Sequence, residues 1–447
     1  MTGRLTLTHC APRWHHYAFV LLGIALYSRA LDRVLSGNPS HYGIVQSSLA
    51  VQIVAAGLLA ISGLILVWRP SVGRLDIGRI SVAALTIWIF LSALWSADAP
   101  HSLQKALSHL GVVLFAFASL KILGPNAVFQ LLVRATAAFV CIQFAIAILA
   151  PAYAFHNAWD LGVGEHAGRF RGSFFHKNET GRMLGLALLI LMAGRTVFNR
   201  KTVWWGLIAM VCGLLIASAS AKLFLSLPAA LIVFLFLKWQ AHLAIKTACL
   251  VYLITLVAMA YHLIDGHAVL ESLIGLTGRD LSLSGRDAIW SVGWPQIVQN
   301  PMIGAGYDMG WSQPLRDALL MIKGPSGVVN HAHNGYFQTM LDLGAIGVAL
   351  ALLPLMLLIS RTLRARMKSG PQILVGLIVP YILLLNITGS YLTLNGDIFM
   401  CLTIWLLRFS ERPQPRPDHS TQPSVQRFDP SHRVADVPPN LVFLPVR

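Results

Sequence analysis

The sequence predicts an all-α polytopic membrane protein of about twelve transmembrane helices, with a long, mainly helical loop on the outer side between the ninth and tenth spans. Three observations carry that prediction. Hydrophobic residues make up 56% of the 447 residues and charged residues only 12%, against roughly 45–50% apolar in an average soluble protein. Apolar runs of membrane length recur along the chain. Lys and Arg gather in alternate connections between those runs. This composition excludes a disordered chain, a collagen and an ordinary water-soluble enzyme. Five cysteines with no short spacing exclude a small disulfide scaffold and a C-x-x-C metal site. A net charge of +16 would suggest nucleic acid in a soluble domain. Here it reads as membrane topology, so no nucleic acid is expected and the phospholipid bilayer is the first partner.

A helix needs about 20 apolar residues to cross the hydrocarbon core. Candidate runs, several of them short, lie near 17–31, 44–68, 77–95, 104–120, 126–150, 179–194, 203–218, 223–237, 246–264, 335–359, 372–390 and 397–407. The first lacks a small-residue cleavage site and reads as an anchor, not a signal peptide. With the N-terminus inside, the inside connections carry Arg4 and Arg13, then Arg69, Arg74 and Arg79, then Lys121. They continue with Arg195, Arg200 and Lys201, with Lys238 and Lys246, and with Arg361, Arg364, Arg366 and Lys368. Every inside connection is basic, which predicts an even number of spans with both termini cytoplasmic. Residues 1–408 then form the membrane domain, including outside loops 151–178 and 265–333. Residues 409–447, with eight prolines among polar groups, read as a disordered cytoplasmic tail.

An enzyme with its site at the outer face concentrates costly polar residues there. Arg169, Arg171, Lys177 and Arg182 lie in or beside the first loop, and Arg279 and Arg286 lie in the second. Lys222 sits in a short turn after Ser218 and Ser220. All of these work against the positive-inside bias; the plain alternative for each is a solvated or snorkelling charge. Asn178, Glu179 and Thr180 can start a helix, and the first amides of that helix can bind an anion beside His176 and Lys177. In the second loop two Gly-Arg-Asp triplets stand seven residues apart. They precede a helix expected from near Asp287 through Ile297, with Trp290, Trp294 and Ile297 on its packing face. Asn300 to Gly306 reads as a turn. His331, His333 and Asn334 close the loop, and Asn330 or Asn334 can cap the long apolar helix that follows. His-x-His without a third ligand nearby is a weak metal signal, and no metal is assigned.

These residues resemble the O-antigen ligase/polymerase superfamily of bacterial membrane glycosyltransferases. The matching pieces are Gly278-Arg279-Asp280, Gly285-Arg286 with Trp290, and Asn300-Pro301 with Gly304 and Gly306. His333-Asn334-Gly-Tyr-Phe and Leu343-Gly344-Ala-Ile-Gly347 follow, and Trp95-Ser96 and Ser218-x-Ser220-x-Lys222 also fit. The stretch Arg171-Gly-x-x-x-His176-Lys177-Asn178 is most similar to the exopolysaccharide-polymerase (ExoQ-like) branch. The resemblance implies a glycosyltransferase of the bacterial inner membrane with a periplasmic active site and no cofactor. Its donor is a glycan on undecaprenyl diphosphate. A polymerase, the favoured form, passes that glycan to another lipid-linked repeat unit; an O-antigen ligase passes it to the lipid A core. Other polysaccharide assembly and export proteins are implied as further partners. Catalytic roles fall on His333, on Arg286 and on Arg169 or Arg171, with Arg171 taken first. Arg169, His176, Lys177, Asn178, Lys222, Arg279, His331 and Asn334 are implied as substrate-binding residues.

The chemistry suits these residue types. Guanidinium groups stay charged and bind phosphate oxygens bidentately. Neutral imidazole near pH 7 can take the proton of a sugar hydroxyl, and Asp280, Asp287 and Glu179 are further candidates for that step. A flippase competes as a reading, but it calls for ionisable residues at mid-span, where Arg134 and few others lie. A non-catalytic assembly partner is the third reading, and its loops would tolerate single Arg and His changes.

Overall fold

The computed structural model describes residues 12–35, 48–68, 76–160, 166–239, 245, 286–311, 313–323, 331–364 and 367–411. Among these residues the regular elements are helical, with one isolated bridge pairing Phe155 with Phe170. The helices are α1 (Trp14–Tyr27), α2 (Asp32–Leu35), α3 (Leu49–Trp68), α4 (Ile77–Leu91) and α5 (Ala99–Leu123). Then come α6 (Pro125–Leu149), α7 (Pro151–Ala154), α8 (Lys177–Ala193), α9 (Lys201–Ser218) and α10 (Ala221–Lys238). The last five are α11 (Arg286–Gln299), α12 (Gln313–Lys323), α13 (Gly335–Arg364), α14 (Gly370–Thr388) and α15 (Ile398–Phe409).

Seven described segments are long and apolar enough to cross a membrane: α3, α4 with its extension to Leu94, α5, α6, α9, α13 and α14. The chain is a membrane protein. The expected spans at 17–31, 179–194, 223–237 and 397–407 fall on shorter apolar stretches in α1, α8, α10 and α15. The expected span at 246–264 lies outside the described residues. Among the described residues, seven helices therefore qualify of the twelve expected.

Local chemistry sets the helix ends. Asp76 accepts from the Arg79 amide at 2.9 Å and Asp98 from the His101 amide at 3.0 Å, so α4 and α5 each begin on an acidic cap. Ser369 and Gln372 form a capping box on α14. Nearly every residue of α8 and α15 is buried, and most of α14 is. These three helices form the centre, with α15 packed on α5 and α10 packed on α14. The Trp405 indole of α15 donates to Ser119 Oγ of α5 at 2.9 Å. By contrast α3 leaves Ile53, Leu64 and Val67 exposed, as a lipid-facing helix does.

One joint fixes α11 and the turn that follows it to this bundle. Gly344 has φ +67° and interrupts helical geometry inside α13. At that kink the Ala345 and Ile346 amides donate to the carbonyls of Pro301 (2.9 Å) and Met302 (3.2 Å). In return the Ala305 and Gly306 amides donate to Leu341 and Asp342, both at 2.9 Å. Ser92 Oγ accepts from the Tyr307 amide at 3.1 Å, and Ser102 Oγ donates to the Tyr307 carbonyl at 2.9 Å. Gly306 lies against Ser96. The pieces Trp95-Ser96, Asn300 to Gly306 and Leu343 to Gly347, far apart in sequence, thus meet in space.

α11 begins at Arg286, as its sequence pattern predicts. Ile289 and Ile297 are buried, and the Trp290 indole donates to the Ala332 carbonyl at 3.0 Å. Trp294 departs from expectation. α13 meets α11 where Gly293 faces Phe337, and this leaves Trp294 at the rim, 59% exposed.

Candidate active site

The first half of the site lies between α7 and the start of α8. His156 Nε2 accepts from the Lys177 amide at 3.2 Å, so its Nδ1–H donates to Asp160 Oδ2 at 3.1 Å. Arg171 donates to the same oxygen at 2.8 Å. The rings of His156, His166 and His176 stand edge to face, 5.1 to 6.0 Å apart. Burial pushes His156 down to about 4, against the opposing bond to Asp160. Burial, then His166, His156, Lys222 and Lys177, push His176 down to about 2. Both imidazoles are neutral at pH 7.

The start of α8 differs from expectation in two ways. Its cap is His176, whose Nδ1 accepts from the Asn178 amide at 3.0 Å. Thr180 instead turns its hydroxyl to the Arg171 carbonyl. The first four amides are also spent inside the chain. Lys177 and Asn178 donate to the two imidazoles, and Glu179 and Thr180 donate to the His176 carbonyl at 3.0 and 3.2 Å. This helix start is therefore closed to an anion.

Arg33 holds this half to the bundle. One guanidinium nitrogen donates to the Tyr153 and Gly172 carbonyls, each at 2.9 Å, and the group lies 3.6 Å from the Tyr153 ring centroid. The sequence reading did not include Arg33, although the same signal applies to it: a basic residue just after the first expected span, on the outer side. Arg182 pairs with Asp397 at 2.6 Å, both fully buried, and stacks 4.6 Å from the Tyr391 ring. It is a packing residue of the bundle.

The second half is the entry to α13. Asn334 Oδ1 accepts from the Tyr336 and Phe337 amides, both at 3.0 Å, and caps the helix; Asn330 lies outside the described residues. His333 just before it has φ +54°, a left-handed conformation that non-glycine residues seldom adopt. Gly335 abuts Asn386 Oδ1 with no room for a Cβ, which seats this corner on α14. The His331 and His333 rings are 4.2 Å apart. Burial, then the charges of Lys222 and Arg286, push His331 down to about 4.

Lys222 joins the halves. Its charge acts on His176 of the first and on His331 of the second, and its ammonium lies 5.9 Å from the Tyr391 ring centroid. Ser220 Oγ donates to Asn178 Oδ1 at 3.0 Å, tying the Lys222 turn to α8. Arg286 acts on both His331 and Tyr391. Lys222, Arg286, His176, Asn178, His331 and His333 thus share one neighbourhood. Arg171 stands behind it, held on Asp160; Lys177 is buried at the start of α8, and Arg169 is exposed. Arg279 and Asp280 lie outside the described residues. Asp32 is a further carboxyl at the edge of this neighbourhood, raised to about 6 by burial, with Arg29 opposing and Glu179 and Asp397 adding to the rise.

A family model described as O-Antigen ligase matches residues 205–352. That segment holds Lys222, Arg286, His331 and His333, together with the turn and kink of the joint. The chain is also 25% identical, over 351 residues, to the exopolysaccharide production protein ExoQ of Rhizobium meliloti (strain 1021), covering 71% of this chain and 75% of that protein. Both findings agree with the motifs: the chain is similar to the O-antigen ligase/polymerase superfamily, and within it to the exopolysaccharide branch.

Proposed function

We propose that the chain is a glycosyltransferase of the bacterial inner membrane that moves a glycan from undecaprenyl diphosphate to a sugar hydroxyl at the periplasmic face, as an exopolysaccharide or O-antigen polymerase. The observation that carries this reading is that the Lys222 turn, bonded to α8 through Ser220 and Asn178, brings its charge to bear on His176 and on His331, and Arg286 acts on His331 as well. Fixed cations next to neutral imidazoles suit a reaction that expels a diphosphate and deprotonates an alcohol.

In this mechanism Arg286 and Lys222 hold the donor diphosphate. The acceptor hydroxyl oxygen attacks the anomeric carbon, and the bond from that carbon to the diphosphate oxygen breaks. The electron pair leaves on the diphosphate, where the two cations stabilise the growing charge, a task that a divalent metal performs in many nucleotide-sugar enzymes. The hydroxyl proton passes to His333, a contribution of roughly 10²–10⁴-fold for a positioned base. Direct displacement inverts the anomeric centre. Arg171 is a positioning residue: its bond to Asp160 shapes the segment that presents His176 and Asn178.

The description of the matching family model favours a second reading, a ligase that passes the glycan to the lipid A core. The test uses purified protein in phospholipid vesicles with an undecaprenyl-diphosphate-linked repeat unit. Release of undecaprenyl diphosphate only in the presence of acceptor supports transfer. No release with either acceptor overturns it. Growth of a lipid-linked polymer identifies the polymerase, and glycan on lipid A core identifies the ligase.

A further inference from the structure

Trp294, Val298 and Met302 recur at four-residue spacing along α11 and the turn that ends it. They are 59%, 60% and 56% exposed. The opposite side of α11, with Ile289, is buried against the protein, and Ile297 is buried at the edge of the row. A soluble loop seldom leaves such a row in water.

The joint with α13 fixes the depth of this row. Pro301 and Met302 accept hydrogen bonds from Ala345 and Ile346, and the Trp88 indole donates to the Leu343 carbonyl at 3.1 Å. Leu343 to Ile346 and Trp88 lie inside segments that are apolar enough to cross the membrane. Beyond the Gly344 kink α13 runs from Ala345 to Arg364, about 30 Å at 1.5 Å per residue, close to the thickness of the hydrocarbon core. Its far end is basic, with Arg361 and Arg364. Counted back from Arg361, the core reaches the kink itself. The turn bonded to Ala345 and Ile346 therefore lies within the hydrocarbon margin. Ile87, beside Trp88, is itself 59% exposed.

We propose that α11 is an interfacial helix. Its Trp294–Val298–Met302 row is immersed in the acyl chains of the leaflet opposite Arg361, while Gln299 on its flank and Ser291, one turn before Trp294, are exposed toward the headgroups and water. The partner is bilayer phospholipid, because the row is continuous in depth with the lipid-facing surface of the spans. A Trp at the upper end and aliphatic side chains below it follow the order of a membrane interface. The inference stands apart from glycosyl transfer.

The test uses the full chain in phosphatidylethanolamine/phosphatidylglycerol vesicles, its five native cysteines replaced by Ala. Nitroxides are attached at Trp294→Cys, Val298→Cys, Met302→Cys and Gln299→Cys. Power saturation compares collisions with oxygen, which partitions into lipid, and with a water-soluble nickel chelate. The expected result is an oxygen-to-nickel ratio several-fold higher at 298 and 302 than at 299. Nickel access at 298 and 302 equal to that at 299 overturns the proposal, as does protection from both reagents, which would mean a protein partner or a second copy. A check on the unmodified chain avoids variants altogether. A phospholipid with a diazirine in its acyl chain should label the peptide containing Val298 and Met302, and failure to label it also overturns the proposal.

Discussion

Arg171 donates to Asp160 Oδ2 at 2.8 Å, with the two side chains only 5% and 6% exposed. The notable feature is enclosure: the guanidinium faces a carboxylate, not a groove. Removing one partner of a buried pair strands the other charge and costs about 3–5 kcal/mol. Asp160→Ala should therefore lower the melting temperature in detergent and take activity with it. Replacing both together, Arg171→Met with Asp160→Leu, should recover part of the melting temperature but little of the activity. Equal melting of Asp160→Ala and the parent would show that the pair carries no structural weight.

Arg286 should behave in the opposite way. It starts α11 and acts on His331 and Tyr391. Arg286→Ala should lower undecaprenyl diphosphate release by roughly 10²–10³-fold, the typical loss of one donor that stabilises a transition-state anion, with melting within error of the parent. Arg286→Lys should recover only part of the rate, because an ammonium cannot bind phosphate bidentately. Unchanged release in Arg286→Ala would remove it from the site.

Much of this was legible in the sequence, for identifiable reasons. The apolar runs mark the helices because a bilayer demands about 20 such residues each. Arg286 and Lys222 stand out because they defy the positive-inside bias. The cap of α8 was not legible: Asn178 and Thr180 follow the helix rule, but the His176 imidazole takes that place, and no local pattern announces a histidine cap. Likewise Asp160 carries no motif, and its bond to Arg171 exists only because a loop folds back between α7 and α8. Trp294 fits the helical period yet faces outward, since period alone does not say how wide the partner's contact is.

Gly344 offers a test of the joint. Its φ of +67° is strained for any L side chain, and a Cβ there would run into the Met302 backbone. Gly344→Ala should destabilise by more than about 1 kcal/mol, because neither the dihedral nor the backbone neighbour can yield cheaply. Gly57, in α3, meets nothing within 4 Å, so Gly57→Ala should leave melting unchanged or raise it slightly. Thermal unfolding of both variants in one detergent makes the comparison; equal melting would mean that the turn at 300–306 does not seat on α13 in this way.

Stability should also depend on pH in a defined window. His156 and His331 each titrate near 4 in the folded chain, against an ordinary 6.5. The unfolded chain therefore binds more protons between those values, and lowering the pH pulls the equilibrium toward it. The stabilising contribution of these groups is complete above about 6.5 and is lost as the pH falls toward 4. His176 adds to this loss and outlasts it, while Asp32, raised to about 6, works the other way over part of the window. With the three imidazoles outweighing one carboxyl, the melting temperature in detergent should be level between pH 7 and 8 and decline from 6.5 to 4. His331→Asn removes one of the proton-linked groups, so its decline over the same interval should be shallower than that of the parent. Parallel declines in the two proteins would mean that His331 titrates normally, and with it would go the placement of Lys222 and Arg286 close enough to act on that ring.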